Sequence, residues 1–360
     1  MATRTARRAG SERWTRAERR TLTWMAAVVL VLNVVGWGVL LLVVAPAGYR
    51  LGDAGVFGVG LGVTAFLLGA RHAIDADHIA VIDNTTRKLV GEGKKALDTG
   101  FWFALGHSSV VFGLAFLIAL GVRSVAGQVQ DADSALQGSL GLVGTAAAGI
   151  FLVLIGLMNL SALLGIVHAY RHWRAGSFDE TALEHHLHQR GLLARLFDRA
   201  VRRVDSPRRI YPVGLLMGLG FDTATQVALL VLAGGSAAYA LPWYAVLVLP
   251  VLFAAGMLLF DSIDGVVMSH AYRWAFVDPG RKILYNGTVT LLSVLVALLI
   301  GGLLLLQLAD EYLGVPGLGW VASVDLEYAG FGLVALFAVV WALAFAMVRL
   351  RRRTAEPRTS

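Results

Sequence analysis

Residues 23–45 read TWMAAVVLVLNVVGWGVLLLVVA, an apolar run without a charged side chain. A helix needs about 20 mostly apolar residues to cross the hydrocarbon core of a bilayer, so this run predicts a membrane span. Ala45-Pro46-Ala47 resembles a signal-peptide cleavage site. The run is longer than the roughly 7–15 apolar residues of such a signal, and we therefore expect an uncleaved span.

The whole chain has the composition of an integral membrane protein. Of its 360 residues, 57% are hydrophobic and 15% are charged, whereas a soluble domain carries about 25% charged residues. Further apolar runs predict seven more spans, at 57–82, 99–121, 142–167, 210–232, 241–268, 285–308 and 329–349. We predict an all-α integral membrane protein, a bundle of eight transmembrane helices.

The basic residues predict how this bundle is oriented. Of the 31 Lys and Arg residues, 28 lie on one predicted side, and the opposite loops hold only Arg50 and Arg123. Cytoplasmic segments are enriched in Lys and Arg, so both termini are expected in the cytoplasm. The predicted parts are a basic N-terminal tail (1–22), helices 1–4 (23–167), a basic, His-bearing cytoplasmic loop (168–209), helices 5–8 (210–349) and a basic C-terminal tail (350–360).

Composition also excludes several kinds of chemistry. The chain has no cysteine, so disulfides, zinc–thiolate sites and iron–sulfur clusters are excluded. The glycine- and lysine-rich residues 91–95 lack the spacing of a phosphate-binding P-loop, and ATP hydrolysis by such a loop is not expected. The net charge of +7 follows from the orientation in the membrane, so we predict a lipid bilayer as partner and no nucleic acid.

Polar residues in several predicted spans stand out. The second span contains Arg71-His72-Ala73-Ile74-Asp75-Ala76-Asp77-His78, with five ionisable side chains. Such groups are expensive in a bilayer and indicate a functional site. Other spans contribute Asn33, then His107, Ser108 and Ser109, then Asp222, Thr223, Thr225 and Gln226, and finally Asp261, Ser262 and Asp264. The groups of the second, third, fifth and sixth spans fall at similar depth and predict one cluster.

Helical geometry leaves the role of two histidines open. His72 and His78 are six residues apart, roughly 120° around an ideal helix. Both can face one small ion only if the helix bends or unwinds, which Gly69 would permit. Alternatively, only one of them is a direct ligand, and a carboxylate holds the other.

The donor types point to a transition-metal ion. Imidazoles beside carboxylates, without thiolate, suit Ni²⁺ or Co²⁺ and fit Zn²⁺ or Mn²⁺ less selectively. The candidate metal ligands are His72, Asp75, Asp77, His78, His107, Asp222, Asp261 and Asp264. The candidate supporting groups are Asn33, Arg71, Ser108, Ser109, Thr223, Thr225 and Gln226. A plain ion pair between Arg71 and Asp75 and simple helix packing by residues 106–109 are the structural alternatives.

The string Arg71–Ile79 resembles the signature of the nickel/cobalt transporter (NiCoT) family, whose core is His, four residues and Asp-His. Three further stretches resemble family motifs in the same order: residues 105–111 (LGHSSVV), 219–225 (LGFDTAT) and 256–265 (GMLLFDSIDG). The chain departs from the family at Gln226, where a Glu is usual, and this removes one charge. Residues 67–69 and 216–218 are also alike and lie in oppositely directed spans, which is consistent with an inverted repeat.

The resemblance implies secondary uptake of Ni²⁺ and/or Co²⁺ across the plasma membrane, without ATP hydrolysis. The ion is then the transported substrate, and no prosthetic group is expected. The resemblance assigns recognition and transport to His72, Asp77 and His78. His107, Asp222, Asp261 and Asp264 match other motif positions of the family.

Two other functions remain as alternatives. Metal efflux would use the same chemistry, and the His-bearing loop could deliver metal outward or meet a cytoplasmic metal-delivery partner. A membrane enzyme is the second alternative, because His72 and Asp77 have the spacing of the His–Asp dyad of phospholipid acyltransferases. No substrate-binding motif accompanies that dyad, and we expect a transporter that is not an enzyme. The sequence makes no prediction of oligomeric state.

Overall fold

A computed structural model gives the fold of this protein. It describes residues 14–50, 56–120, 134–174, 204–220, 241–276, 279–324 and 329–340, together with positions 128 and 342. In that part of the chain every regular element is a helix, as predicted. The helices are α1 (Arg16–Ala47), α2 (Val59–His72), α3 (Ala76–Gly91), α4 (Thr99–Ala119), α5 (Ala135–Arg174), α6 (Tyr211–Met217), α7 (Trp243–Phe276), α8 (Pro279–Leu313) and α9 (Ala329–Val340).

Five of these helices are long and apolar enough to cross a membrane. They contain the segments Arg16–Ala47, Thr99–Ala119, Gly138–Gly165, Trp243–Arg273 and Thr290–Leu313. These segments correspond to the first, third, fourth, sixth and seventh predicted spans. Helix α9 is apolar but shorter, and it covers part of the eighth predicted span. The chain is thus a helical, multi-pass membrane protein.

The predicted second and fourth spans differ most from the structure. The second span, 57–82, is not one continuous helix: α2 ends at His72 and α3 begins at Ala76, which is the bend that the spacing of His72 and His78 had left open. The helix of the fourth span extends beyond the span itself, since α5 continues to Arg174 into the segment assigned to the loop 168–209. Of the fifth span, 210–232, the structure describes residues up to 220.

Helix α7 lies at the centre of the described helices. It packs against α1, α2, α3 and α4, while α5 packs against α8 and α6 packs against α4 and α5. By contrast, α1 leaves large apolar side chains exposed, among them Leu30, Val31 and Val34. An exposed apolar face suits a helix that borders lipid, because lipid tails are as apolar as leucine.

Glycines allow the central helices to approach one another closely. A Cβ atom at Gly69 of α2 would overlap the backbone of Phe253 on α7. Likewise, a Cβ atom at Gly100 of α4 would overlap the backbone of Asp261 on α7. Small residues at helix contacts are typical of membrane bundles, where close packing replaces the hydrophobic effect. These contacts bring α2, α4 and α7 together around the end of α2.

Candidate metal centre

The centre is built on the break between α2 and α3. The Ile74 N–H donates to the Arg71 carbonyl at 2.9 Å, and the Asp75 N–H donates to the His72 carbonyl at 2.9 Å. These i→i−3 bonds tighten the last turn of α2. Asp75 then adopts an extended conformation (φ −65°, ψ 148°), and α3 begins at the next residue. The chain therefore changes direction between the two histidines of the motif.

Three imidazoles converge beside this break. His72 ends α2, His78 lies in the first turn of α3, and His107 lies on α4. The ring centroids of His72 and His78 are 4.5 Å apart. The ring centroid of His107 lies 4.9 Å from that of His72 and 4.7 Å from that of His78. One ring nitrogen from each side chain lies within 4.8 Å of the others. The break thus allows both histidines of the motif to face one point.

A carboxylate contacts each of the two motif histidines. Asp75 Oδ2 lies 2.7 Å from His72 Nδ1, and Asp261 Oδ2 lies 3.2 Å from His78 Nδ1. A carboxylate that accepts the Nδ1 proton orients the ring and directs Nε2 toward a metal. Both His78 and Asp261 are fully buried. His78 Nε2 has no hydrogen-bond partner, which suits a nitrogen reserved for a ligand.

Aromatic side chains form an apolar wall around the imidazoles. The Phe103 ring contacts His78 edge-on, with centroids 4.8 Å apart, and Phe253 lies 6.1 Å from His72. His107 is 3% exposed, and its Nδ1 has no hydrogen-bond partner. Three imidazoles that face one point, two of them buried and that of His72 partly exposed, can bind a divalent transition-metal ion as it loses water.

The sequence profile of the family described as high-affinity nickel-transport protein matches residues 58–347. The chain belongs to this nickel-transport family. The resemblance inferred from the four motifs is therefore confirmed. The family and the relatives below carry the names of transporters, so the protein is a transporter and not an enzyme, which removes the acyltransferase alternative.

Three curated relatives illustrate the match. The nickel transporter NicT of Mycobacterium tuberculosis is 53% identical over 92% of this chain and 89% of its own length. The nickel transporter NixA of Staphylococcus aureus is 40% identical, covering 90% and 93%. The cobalt transport protein NhlF of Rhodococcus rhodochrous is 38% identical, covering 91% and 92%. No solved structure matches the chain.

The other predicted ligands of this nickel-transport family member have different positions. Asp77 Oδ1 accepts the His78 backbone N–H at 3.0 Å. Asp264 lies one turn after Asp261 on α7, and one of its oxygens is buried without a hydrogen-bond partner. Four predicted residues fall outside the described part of the chain: Asp222, Thr223, Thr225 and Gln226.

The predicted supporting groups separate into several kinds. Ser109 donates to the Leu105 carbonyl at 2.7 Å and accepts the Tyr211 hydroxyl at 2.9 Å, which links α4 to α6. Ser108 is buried, and its hydroxyl has no hydrogen-bond partner. The amide of Asn33 donates to the Val29 carbonyl at 2.9 Å, within α1. Arg71 lies half-buried in the last turn of α2.

A second buried polar network was missed by the sequence analysis. It consists of Asp83, Asn84 and Arg87 on α3, with Asn159, Tyr272 and Thr290 as their partners. The predicted spans 57–82 and 99–121 leave residues 83–98 in a loop on the cytoplasmic side, where charged side chains need no explanation. The i,i+4 spacing of Asp83 and Arg87, directly after an apolar run, was the available sign that the helix continues.

Proposed function

We propose that this member of the nickel-transport family takes up Ni²⁺ and/or Co²⁺ across the plasma membrane, as a secondary transporter that does not hydrolyse ATP. The observation that carries the proposal is the convergence of three imidazoles from α2, α3 and α4, with ligand nitrogens within 4.8 Å of one another. Imidazole nitrogen beside carboxylate suits both ions. The names of the relatives NicT and NhlF support the same two substrates.

The proposal includes a topology of eight spans with both termini in the cytoplasm. The second span is then the broken pair α2 and α3, and the basic segment between α5 and α6 is cytoplasmic. The one-sided distribution of Lys and Arg supports this orientation. This orientation can be tested by fusing to either terminus a reporter domain that is active only in the cytoplasm.

In the proposed cycle, the ion exchanges its water for the nitrogens of His72, His78 and His107. Asp75 and Asp261 hold two of the rings and offset the charge of the ion in a low-dielectric site. Transporters commonly bind substrate where a helix is broken, because its halves can move separately. Movement of α2 relative to α3 would then open the site toward one side or the other.

The membrane potential is sufficient to drive uptake. Moving one charge through an inside-negative potential of 100 mV releases about 2.3 kcal/mol, and a divalent ion therefore gains about 4.6 kcal/mol. Uptake of the ion alone is energetically feasible, and coupling to a second ion is not required.

Uptake of ⁶³Ni²⁺ at nanomolar concentration in cells that express the protein tests the proposal. We expect His72→Ala to abolish accumulation. His270→Ala is the matched control, since this exposed histidine packs against Trp14 with ring centroids 5.7 Å apart and lies outside the cluster. Competition by Co²⁺ ranks the two ions. Absence of accumulation by well-expressed protein would refute uptake, and a lowered nickel content of the cells would favour efflux.

A further inference from the structure

Asp83 is a buried carboxylate with an unused acceptor, beyond the imidazole cluster. It follows His78 by five residues on α3, which is about 7.5 Å along the helix axis. Its Oδ1 accepts a hydrogen bond from the Tyr272 hydroxyl, and its Oδ2 has no hydrogen-bond partner. Asp83 is fully buried. A buried ionisable group of this kind inside a transporter indicates a part of the substrate path.

Asp83 is the last of three carboxylates in a row that starts at the imidazoles. Asp261 contacts His78 at 3.2 Å, and Asp264 lies one turn further along α7. Asp264 and Asp83 lie where α7 passes α3, because a Cβ atom at Gly265, the residue after Asp264, would be 3.8 Å from the side chain of Ile82, the residue before Asp83. A cation that leaves the imidazole cluster toward the end of α3 would therefore pass Asp261, Asp264 and Asp83 in that order. Under the proposed topology this direction leads to the cytoplasm.

Arg87 lies at the far end of this row. It is 6% exposed, and it lies one helical turn after Asp83 on α3, where side chains four residues apart are neighbours. Its Nη1 donates to the Thr290 hydroxyl at 2.9 Å, while Nε and Nη2 have no hydrogen-bond partners. Arginine and a carboxylate frequently pair through two parallel hydrogen bonds. Here both groups keep unused hydrogen-bonding atoms.

We propose that Asp83 is a second cation-binding residue on the cytoplasmic side of the imidazole cluster. Arg87 is then a tethered cation that balances Asp83 when no metal is present. The inference rests on the proposed function, since it concerns the path of the same ion.

A positive charge beside Asp83 would help transport because the metal must be released after it binds. A row of buried carboxylates attracts a divalent ion strongly, but transport requires binding weak enough for the ion to leave. A fixed positive charge beside Asp83 weakens its hold on the metal. The same charge compensates the buried carboxylate once the ion has gone.

Isothermal titration of the purified full-length protein with Ni²⁺ in detergent tests the inference by stoichiometry. We expect the unaltered protein to bind one ion tightly and Arg87→Gln to bind two. Arg87→Lys keeps the charge and should bind one. The double variant Asp83→Asn/Arg87→Gln should return to one. Arg87→Gln with a single bound ion, or a second ion that persists in the double variant, would overturn the proposal.

A second measurement covers the case in which Arg87→Gln does not fold. Asp83→Asn is reconstituted into liposomes with an inside-negative potential, and ⁶³Ni²⁺ uptake is followed. We expect uptake to fall about tenfold while Ni²⁺ affinity in detergent stays unchanged, a combination that a merely structural role would not produce. Uptake equal to that of the unaltered protein would overturn the inference. Loss of uptake by the unaltered protein would refute the proposed function instead, and the titrations would still test Asp83 and Arg87.

Discussion

Asp261 contacts His78, a proposed metal ligand. This contact makes it possible to measure how much a carboxylate that orients a ligand contributes to metal binding. Asp261 Oδ2 lies 3.2 Å from His78 Nδ1, and both side chains are fully buried. If Asp261 orients the ring and keeps Nε2 available, its removal should weaken metal binding. Partners of this kind are typically worth 10- to 100-fold in metal affinity, which corresponds to about 1.4–2.7 kcal/mol.

Two substitutions of Asp261 should raise the KM for Ni²⁺ by different amounts. Asn keeps an oxygen that can accept the Nδ1 proton but loses the charge, so we expect Asp261→Asn to raise the KM for Ni²⁺ about tenfold. Ala removes the acceptor as well, and we expect a rise of about 100-fold. Breaking a buried pair also destabilises the fold, so thermal unfolding of both purified variants is measured in parallel.

The assay is the initial rate of ⁶³Ni²⁺ uptake over a range of concentrations, corrected for protein abundance in the membrane. Asp205→Asn is the matched control, because this exposed carboxylate pairs with Arg209 at 3.2 Å on the surface, where ion pairs contribute little. A KM within twofold of the unaltered protein for Asp261→Asn would refute the reasoning. An equal KM for the Asn and Ala variants would show that the accepting oxygen has no role.

Two further predictions follow from packing. Gly330→Ala should lower uptake at least about tenfold, because its Cβ atom would overlap the Ile74 carbonyl oxygen in the break, and a misplacement of about 1 Å can cost that much. Gly332→Ala on the same helix has open space around it and is the matched control; equal uptake by both variants would contradict the argument. Asn159→Ala should lower stability by about 1–3 kcal/mol, since the 2.6 Å hydrogen bond to buried Asn84 is lost. Thermal unfolding in detergent measures this, and an unchanged midpoint would refute it.

Local residue patterns were sufficient for the fold class and the family. Apolar runs predict spans because a helix in lipid must satisfy its own backbone and present apolar side chains. This prediction holds for the five long helices. Eight spans and cytoplasmic termini stay predictions. The motif around His72 and His78 was likewise enough to indicate the nickel-transport family.

The candidate site was predictable in composition but not in arrangement. Depth in the membrane groups His72, His78 and His107, but the spacing of the first two allows either a bent helix with both facing the ion or a straight helix with only one as ligand. Asp261 stays a predicted metal ligand, and the structure adds that its Oδ2 lies 3.2 Å from His78 Nδ1. Spacing along a helix cannot distinguish a ligand from a residue that holds one.

The sequence by itself determined that this chain lies in a membrane, that it belongs to the nickel-transport family, and that its buried donors are imidazoles and carboxylates. These properties depend on residue types and short-range order. Only the tertiary structure decided that α2 breaks at residues 73–75, that Gly330 packs against this break, and that Asp83 and Arg87 are buried. These features depend on which helices pack together, and that packing involves residues far apart in the chain.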